Sequence, residues 1–345
     1  MNIDCPLPAD TEDTIRLGHG SGGELSQNLF RDYIHPYIKN PWLDQLHDGA
    51  RLPFTGARLA FTTDSFVVSP LFFPGGDIGE LAVYGTVNDL AMSGARPMYL
   101  SCSLILEEGL PLKTLAKVMA SMGRAAVQTG VQLVTGDTKV VERGKGDGLY
   151  INTAGVGVVE HEWEIAAATI CPGDRILLSG DIGRHGMAVM ASREGLAFDT
   201  PLQSDCAPLH EPVHDLLQAG IRVHCLRDLT RGGLATALVE LARARGASFL
   251  LRESEVQICE SVEGACELLG LDPFYVANEG RFVVFVAPEE EPAALEILRR
   301  HTVSAGSRTI GLVTEVGRPD VILTNFLGCE RLLDLLPGEQ LPRIC

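Results

Sequence analysis

A chain of 345 residues is long enough for two domains, each with its own core, and 46% hydrophobic with 21% charged residues is an ordinary globular balance. A formal charge of -17 with no Lys/Arg cluster argues against a nucleic-acid surface, and no apolar run approaches the ~18 residues that cross a bilayer. Acidic side chains at Asp4, Asp10, Glu12 and Asp13 are unlike a signal peptide, so a soluble cytoplasmic protein is expected.

The stretch to Arg16 is polar. Leu17-Gly18-His19-Gly20-Ser21-Gly22-Gly23 then runs into helically spaced Leu25, Leu29, Phe30, Tyr33, Ile34 and Tyr37, so a glycine loop leading into a helix is expected. A short strand over 58–61 ends at Thr62-Thr63-Asp64, and a long helix follows from 77 to 93. Residues 98–106 read as a strand and 112–128 as a helix. A strand over 131–135 leads into Gly136-Asp137-Thr138-Lys139, and 149–159 alternates again. The turn Pro172-Gly173-Asp174 marks a break within 161–174.

The second half begins with a strand over 175–179, a glycine-bearing loop and a helix over 187–193. Helices over 208–218 and 230–244 follow, then a strand over 247–251 and a short helix over 262–269. A strand over 281–287, a helix over 291–300 and a strand over 309–316 complete it. Strands alternating with helices in both halves give an α/β fold of two units. The expected organisation is an N-terminal segment with the glycine loop (1–40), a first domain (41–160), a second domain (161–325) and a mobile tail (326–345).

That tail ends on a thiol. Pro337-Gly338-Glu339-Gln340-Leu341-Pro342-Arg343-Ile344-Cys345 has no periodicity, and nine extended residues reach about 30 Å, enough to carry Cys345 from a buried pocket to the surface. An exposed cysteine on a frayed end is the alternative. The other eight of the nine cysteines form no C-x-x-C pair, which leaves a zinc site or a disulfide framework unsupported. Most are expected to be small core residues in a reducing cytosol.

Three carboxylates stand out. Asp64 and Asp137 are expected to follow strands and Asp89 to lie in a helix; carboxylates at one rim of a sheet make an oxygen cage suited to Mg²⁺ and substrate phosphates. Taken singly, Asp64 and Asp137 are equally well loop or cap residues and Asp89 a solvated helix face. The loop over 18–23 is neither a Walker A sequence nor a dinucleotide fingerprint, and serves either to bring backbone N–H groups to an anion or as a linker. A second glycine loop, Arg227-Asp228-Leu229-Thr230-Arg231-Gly232-Gly233-Leu234, opens a helix that Asp228 could cap. Lys139 could neutralise a phosphate or hold a carboxylate, or be a plain surface lysine. Glu279, in a turn before a strand, becomes a general base if burial raises its pKa, and otherwise is an exposed turn residue.

Together His19-Gly20-Ser21-Gly22-Gly23, Thr63-Asp64-Ser65-Phe66, Gly85-Thr86-Val87-Asn88-Asp89-Leu90-Ala91, Gly94-Ala95-Arg96-Pro97, Gly136-Asp137-Thr138-Lys139-Val140-Val141, Arg227-Asp228-Leu229-Thr230-Arg231-Gly232-Gly233, Asn278-Glu279-Gly280 and the closing Pro342-Arg343-Ile344-Cys345 resemble the HypE family of hydrogenase maturation factors. That family belongs to the superfamily of aminoimidazole ribonucleotide synthetase, selenophosphate synthetase and thiamine-monophosphate kinase. The first-domain motifs are shared across the superfamily; the terminal Pro-Arg-Ile-Cys singles out this family.

The resemblance implies two α/β domains of α+β type, paired through the first into a homodimer. It implies ATP bound by Gly20, Ser21, Gly22, Gly23, Asp64, Asn88, Asp89, Asp137 and Thr138, with Mg²⁺ on Asp64, Asp89 and Asp137. Cys345 would take a carbamoyl group from the carbamoyltransferase HypF. ATP-driven dehydration would turn it into S-cyanocysteine, with Glu279 as base and Lys139 tuning it or steadying phosphate. The cyanide would pass to iron on a HypC–HypD scaffold, as a ligand for [NiFe]-hydrogenase. A small-molecule kinase or synthetase of the superfamily, or a non-enzymatic thiol carrier, is the alternative.

Overall fold

A computed structural model of the chain describes residues 23–29, 31, 50–54, 57–195, 202–336, 338, 341 and 343–345. The first half opens with a short helix α1 (Gly23–Leu29), then β1 (Ala50–Phe54) and β2 (Ala57–Phe66). A ribbon of β3 (Phe72–Phe73) and β4 (Gly76–Asp77) leads into α2 (Ile78–Met92), followed by β5 (Ala95–Glu107), α3 (Leu112–Thr129), β6 (Gln132–Val141) and β7 (Leu149–Val159). The strands form one sheet in the order β1-β2-β7-β5-β6, with only β5 and β6 parallel.

Helix α2 packs on one face of this sheet. Its start is fixed by Asp77, whose carboxylate accepts from the Gly79 and Glu80 amides at 2.7 and 3.2 Å and from Ser121 Oγ at 2.5 Å. The helix is buried almost all round, because α3 and the second domain cover the sides the sheet leaves open. The strict alternation of β7, buried at every odd residue, sets which side chains meet α2. Thr153, on that inner face, bonds Thr86 and the Ala82 carbonyl of α2.

The second half contains β8 (Arg175–Leu178), α4 (Arg184–Glu194), α5 (His210–Gln218), β9 (Val223–Asp228), α6 (Gly233–Arg245), β10 (Ala247–Arg252), α7 (Glu260–Leu269), β11 (Phe282–Val286), α8 (Glu291–Leu298), β12 (Arg308–Val316), β13 (Val321–Thr324) and β14 (Glu330–Leu333). They build a seven-stranded sheet in the order β14-β13-β10-β12-β8-β11-β9. Its core is rich in Leu, Val, Ile and Phe, with the Phe249 and Phe285 rings in contact at a centroid spacing of 5.3 Å. No helix among the described residues is long and apolar enough to cross a membrane.

Three local features differ from the expectation. Asp64 and Asp137 lie inside β2 and β6 rather than beyond strand ends, because pairing with β7 and β5 carries both backbones onward as extended chain. Strand β9 falls between two expected helices; its polar residues His224, Arg227 and Asp228 hide a short edge strand. Part of the segment expected as tail, Glu330–Leu333, is β14, paired antiparallel with β13.

Candidate active site

The terminal residues lie along the chain that leaves β2. The Val67 amide donates to the Cys345 main-chain carboxylate oxygen at 3.0 Å, the Ser69 amide to the Arg343 carbonyl at 3.3 Å, and Arg343 Nε to the Val67 carbonyl at 3.1 Å. Ile344 is buried in a cluster with Phe66, Val68, Val189 and Ala277, so both halves of the chain contribute to its seat. Arg343 adopts a left-handed φ of 54°, unusual without glycine, and its guanidinium pairs with Asp147.

The thiol sits among charged groups. Arg231, held at the end of the loop after β9, is raised in pKa first by the charge of Cys345, against burial, and then by Asp64, Asp89 and Glu279. Those causes put Cys345, Asp64, Asp89 and Glu279 within electrostatic reach of one guanidinium. Arg231 precedes Gly232, whose φ of 75° is the left-handed turn that starts α6. Asp89 accepts from Thr62 Oγ1 at 2.8 Å, which ties α2 to β2 two residues before Asp64.

Glu279 is buried, and its Oε1 has no hydrogen-bond partner among the described residues. Its pKa is pushed well above the carboxylate range, chiefly by burial, then by Asp228, Asp64 and Asp205, with Arg231 opposing. Its backbone is pinned. Asp205 Oδ2 accepts from the Glu279 and Gly280 amides at 3.2 and 2.9 Å, while Asn278 bonds the Gly183 amide and the Leu229 and Val276 carbonyls. Only glycine fits at 280, because a Cβ there would stand 1.9 Å from the Asp205 carbonyl oxygen.

Burial likewise pushes the Cys345 thiol up to about 12, aided by Glu279 and opposed by Arg231. Asp64 is raised by burial, with Arg231 and the Ser65 amide acting against it. A docked tail therefore presents a thiol whose ionisation is opposed by desolvation and by Glu279 and favoured by Arg231.

Of the residues singled out in the sequence, the structure brings Cys345, Glu279, Asp64 and Asp89 together. Asn88 is adjacent but spends its side chain on backbone, donating to the Ala207 carbonyl at 3.1 Å and accepting from the Leu209 amide at 2.7 Å. Asp137, Thr138 and Lys139 are not at this cluster. Asp64 pairs with Thr153 and, across β5, aligns with Gly136, so Asp137 falls three strands away, roughly 14 Å, on the opposite face of the sheet. There it is exposed, bonded to Lys139 Nζ at 2.9 Å and to the Thr138 amide at 2.8 Å, and its pKa is lowered first by Lys139.

Gly20, Ser21 and Gly22 lie outside the described residues; Gly23 begins α1, whose Glu24 amide donates to the Leu336 carbonyl at 3.3 Å. Among the described residues no group of three or more His, Cys, Asp or Glu side chains is gathered for a metal. Sequence reasoning singled out the loop carrying Arg231 without giving that residue a role. It passed over Asp205, which has no motif and acts only on backbone amides.

The model of the AIR synthase related protein N-terminal domain matches residues 46–159, and that of the C-terminal domain matches 171–324. The carbamoyl dehydratase HypE of Cupriavidus necator is 50% identical over 332 residues, covering 96% of this chain and 95% of its own. The chain belongs to the HypE family. Among solved structures, the hydrogenase maturation protein HypE in complex with ATP has a TM-score of 0.82 at 47% identity, over 96% of this chain and 100% of the other. The HypE chain of a HypE–HypF complex has a TM-score of 0.85 at 43% identity, over 89% of this chain and 99% of the other. The resemblance carried by the motifs of the HypE family is thereby borne out over nearly the whole chain.

Proposed function

We propose that this HypE-family protein is an ATP-dependent carbamoyl dehydratase whose substrate is its own C-terminal cysteine. One observation carries the reading: Cys345 lies half-buried on the cluster that seats Ile344, its main chain bonded by the Val67 amide, within electrostatic reach of Glu279, Arg231 and Asp64. The relatives support the activity, being named carbamoyl dehydratases or solved with ATP or HypF.

The reaction starts from Cys345 bearing S–C(=O)–NH₂, received from the carbamoyltransferase HypF. The carbamoyl oxygen attacks the γ-phosphorus of ATP, ADP leaves, and the nitrogen gives up one proton. Loss of the second N–H proton then breaks the C–O bond, releasing inorganic phosphate and leaving S–C≡N. The oxygen of the water formally lost departs in phosphate, which is why ATP cleavage makes dehydration in water favourable. Glu279 takes a nitrogen proton: its desolvated carboxylate is a strong base once ionised, and it lies within electrostatic reach of the sulfur. Arg231 offsets the negative charge that grows as the phosphoryl group moves.

Asp64 and Asp89 suit Mg²⁺, which takes one or two carboxylates together with phosphate oxygens and water, and both face Arg231 from adjacent elements. Bound there, Mg²⁺ would hold the phosphates and neutralise their charge. Asp137, Thr138 and Lys139 would meet nucleotide or phosphate only across a homodimer. The outer sheet face supports such a dimer: the cross-strand row Phe61, Val156, Tyr99 stands on it with both aromatic rings exposed, and Asp137 shares the face. Delivery of the cyano group to iron on a HypC–HypD scaffold completes the reading, in a cytoplasm that keeps the thiol reduced.

Intact-mass analysis tests the whole. Incubated with HypF and carbamoyl phosphate, the protein gains a carbamoyl group; with ATP it then loses the mass of one water. A carbamoyl mass that persists makes the protein a carrier, and an unmodified tail with turnover of a small phosphate acceptor makes it a kinase.

A further inference from the structure

One helix holds the tail without touching the sulfur. Arg193, near the end of α4, sends Nη2 to the Arg343 carbonyl at 2.8 Å and to the Ser69 carbonyl at 2.6 Å, with Nε also on Ser69 at 3.0 Å. It thereby bridges the tail to the strand-like segment the tail lies on. His185, at the start of the same helix and fully buried, places Nε2 at 2.9 Å from the Ile344 carbonyl. A carbonyl only accepts, so Nε2 carries the proton. The neutral ring then accepts at Nδ1 from the Ser204 hydroxyl at 2.8 Å, and Ser204 Oγ accepts in turn from the Cys206 amide at 3.0 Å. This relay fixes the tautomer and aims the ring. The His185 amide donates to Asp205 Oδ1 at 2.9 Å, so the carboxylate that pins the Glu279 backbone also pins the clamp.

Each bond that His185 and Arg193 make to the tail reads main chain. With the Val67 amide on the Cys345 main-chain oxygen, Ile344 in its apolar seat and the Arg343 guanidinium on Val67 and Asp147, the register of the last three residues is set without any contact to the sulfur. We propose that His185 and Arg193 are positioning residues that clamp the C-terminal tail by its backbone. They thereby hold the same register whether the sulfur is free, carbamoylated or cyanated. Nothing in the clamp has to be remade as the sulfur changes, and the reacting atoms stay in place against Glu279 throughout. The inference deepens the dehydratase reading and rests on it for its purpose, though the clamp itself is measured without turnover.

The test uses the full-length protein without ATP or carbamoyl donor. N-ethylmaleimide labelling is followed at each cysteine by peptide mass spectrometry, with exposed Cys171 as the reference and buried Cys225 as the control for unfolding. In the starting protein Cys345 labels far more slowly than Cys171. Removing a charge-assisted hydrogen bond to the tail in Arg193→Ala should raise the Cys345-to-Cys171 rate ratio about tenfold or more. Arg193→Lys, which keeps a charged donor without the fork, should give a smaller rise, a graded rescue that simple loosening of the fold would not produce. His185→Phe keeps ring volume and removes both relay bonds, and should act in the same direction.

A ratio unchanged in Arg193→Ala, with Cys225 still protected, overturns the clamp. Where Cys225 becomes reactive in the alanine variant, the lysine variant decides by the same ratio. Failure of the dehydratase reading shows itself differently, as wild-type protein that keeps its carbamoyl mass with ATP while Cys345 protection still responds to Arg193.

Discussion

Replacing Glu279 by glutamine isolates the proton-accepting role, since size and shape are kept and only the ionisable oxygen goes. If Glu279 takes the nitrogen proton, Glu279→Gln slows dehydration by about 10²- to 10⁴-fold, the usual contribution of a positioned base. Intact-mass kinetics on pre-carbamoylated protein reads this directly as carbamoyl mass that accumulates. Because the wild-type carboxyl must be ionised to act, and burial holds its pKa well above 4.5, the wild-type rate climbs with pH above the ordinary carboxylate range. The variant lacks that limb. Stability moves the opposite way: a carboxyl raised on folding contributes most below its unfolded pKa, and the contribution is lost as pH rises from there through its folded pKa. Each unit of elevation is worth about 1.4 kcal/mol, so Glu279→Gln should be the more stable protein at alkaline pH and nearly matched at acid pH. Denaturant unfolding at about pH 4, below the ordinary glutamate pKa, and again at alkaline pH checks it. Dehydration at the wild-type rate in Glu279→Gln would refute the assignment outright.

The remaining expectations test neighbouring parts of the site. Asp89→Asn should weaken Mg-ATP binding about tenfold by removing one charged oxygen donor beside Arg231, and an unaltered nucleotide titration counts against the metal reading. If the proposed dimer forms through the exposed sheet face, the parent should run as a dimer in light scattering and Tyr99→Glu, which puts a charge there, as a monomer; a persistent dimer would move the interface elsewhere. Gly280→Ala drives a methyl into the Asp205 carbonyl and should lower stability by roughly 3 kcal/mol in chemical denaturation, whereas a loss under about 0.5 kcal/mol would mean that the segment yields freely.

What could be read from the sequence follows from which forces leave a local mark. Helix α2 was expected over 77–93 and runs Ile78–Met92, and β7 matches its alternating 149–159, because long periodic segments declare their buried face. Strand β9 is too short and too polar to do so. Asp64 and Asp137 showed their residue types but not their faces: both lie within strands, and a step of one residue along paired strands turns a side chain to the other side of the sheet. Glu279 was legible as a turn residue before a strand. Its burial was not, since the cover comes from elements distant in sequence, including Asp205 and the tail itself. The tail's seat was the least legible of all, because His185 and Arg193 grip main-chain carbonyls, which every residue possesses.

The chemistry demanded of Cys345 explains why its thiol must leave this seat as well as enter it. Docked, its pKa is pushed to about 12 by burial and by Glu279. At neutral pH the docked thiol is therefore ionised far less than a free cysteine, of which a few per cent is thiolate. A sulfur so protonated is a poor nucleophile for picking up a carbamoyl group, yet the same desolvation would give Glu279, as the proposed base, its strength. The two steps thus require opposite surroundings for one residue. Solvent suits the capture of the carbamoyl group, and the buried cluster suits the loss of water. A short tail with a backbone grip that ignores the sulfur supplies both settings without a second cysteine.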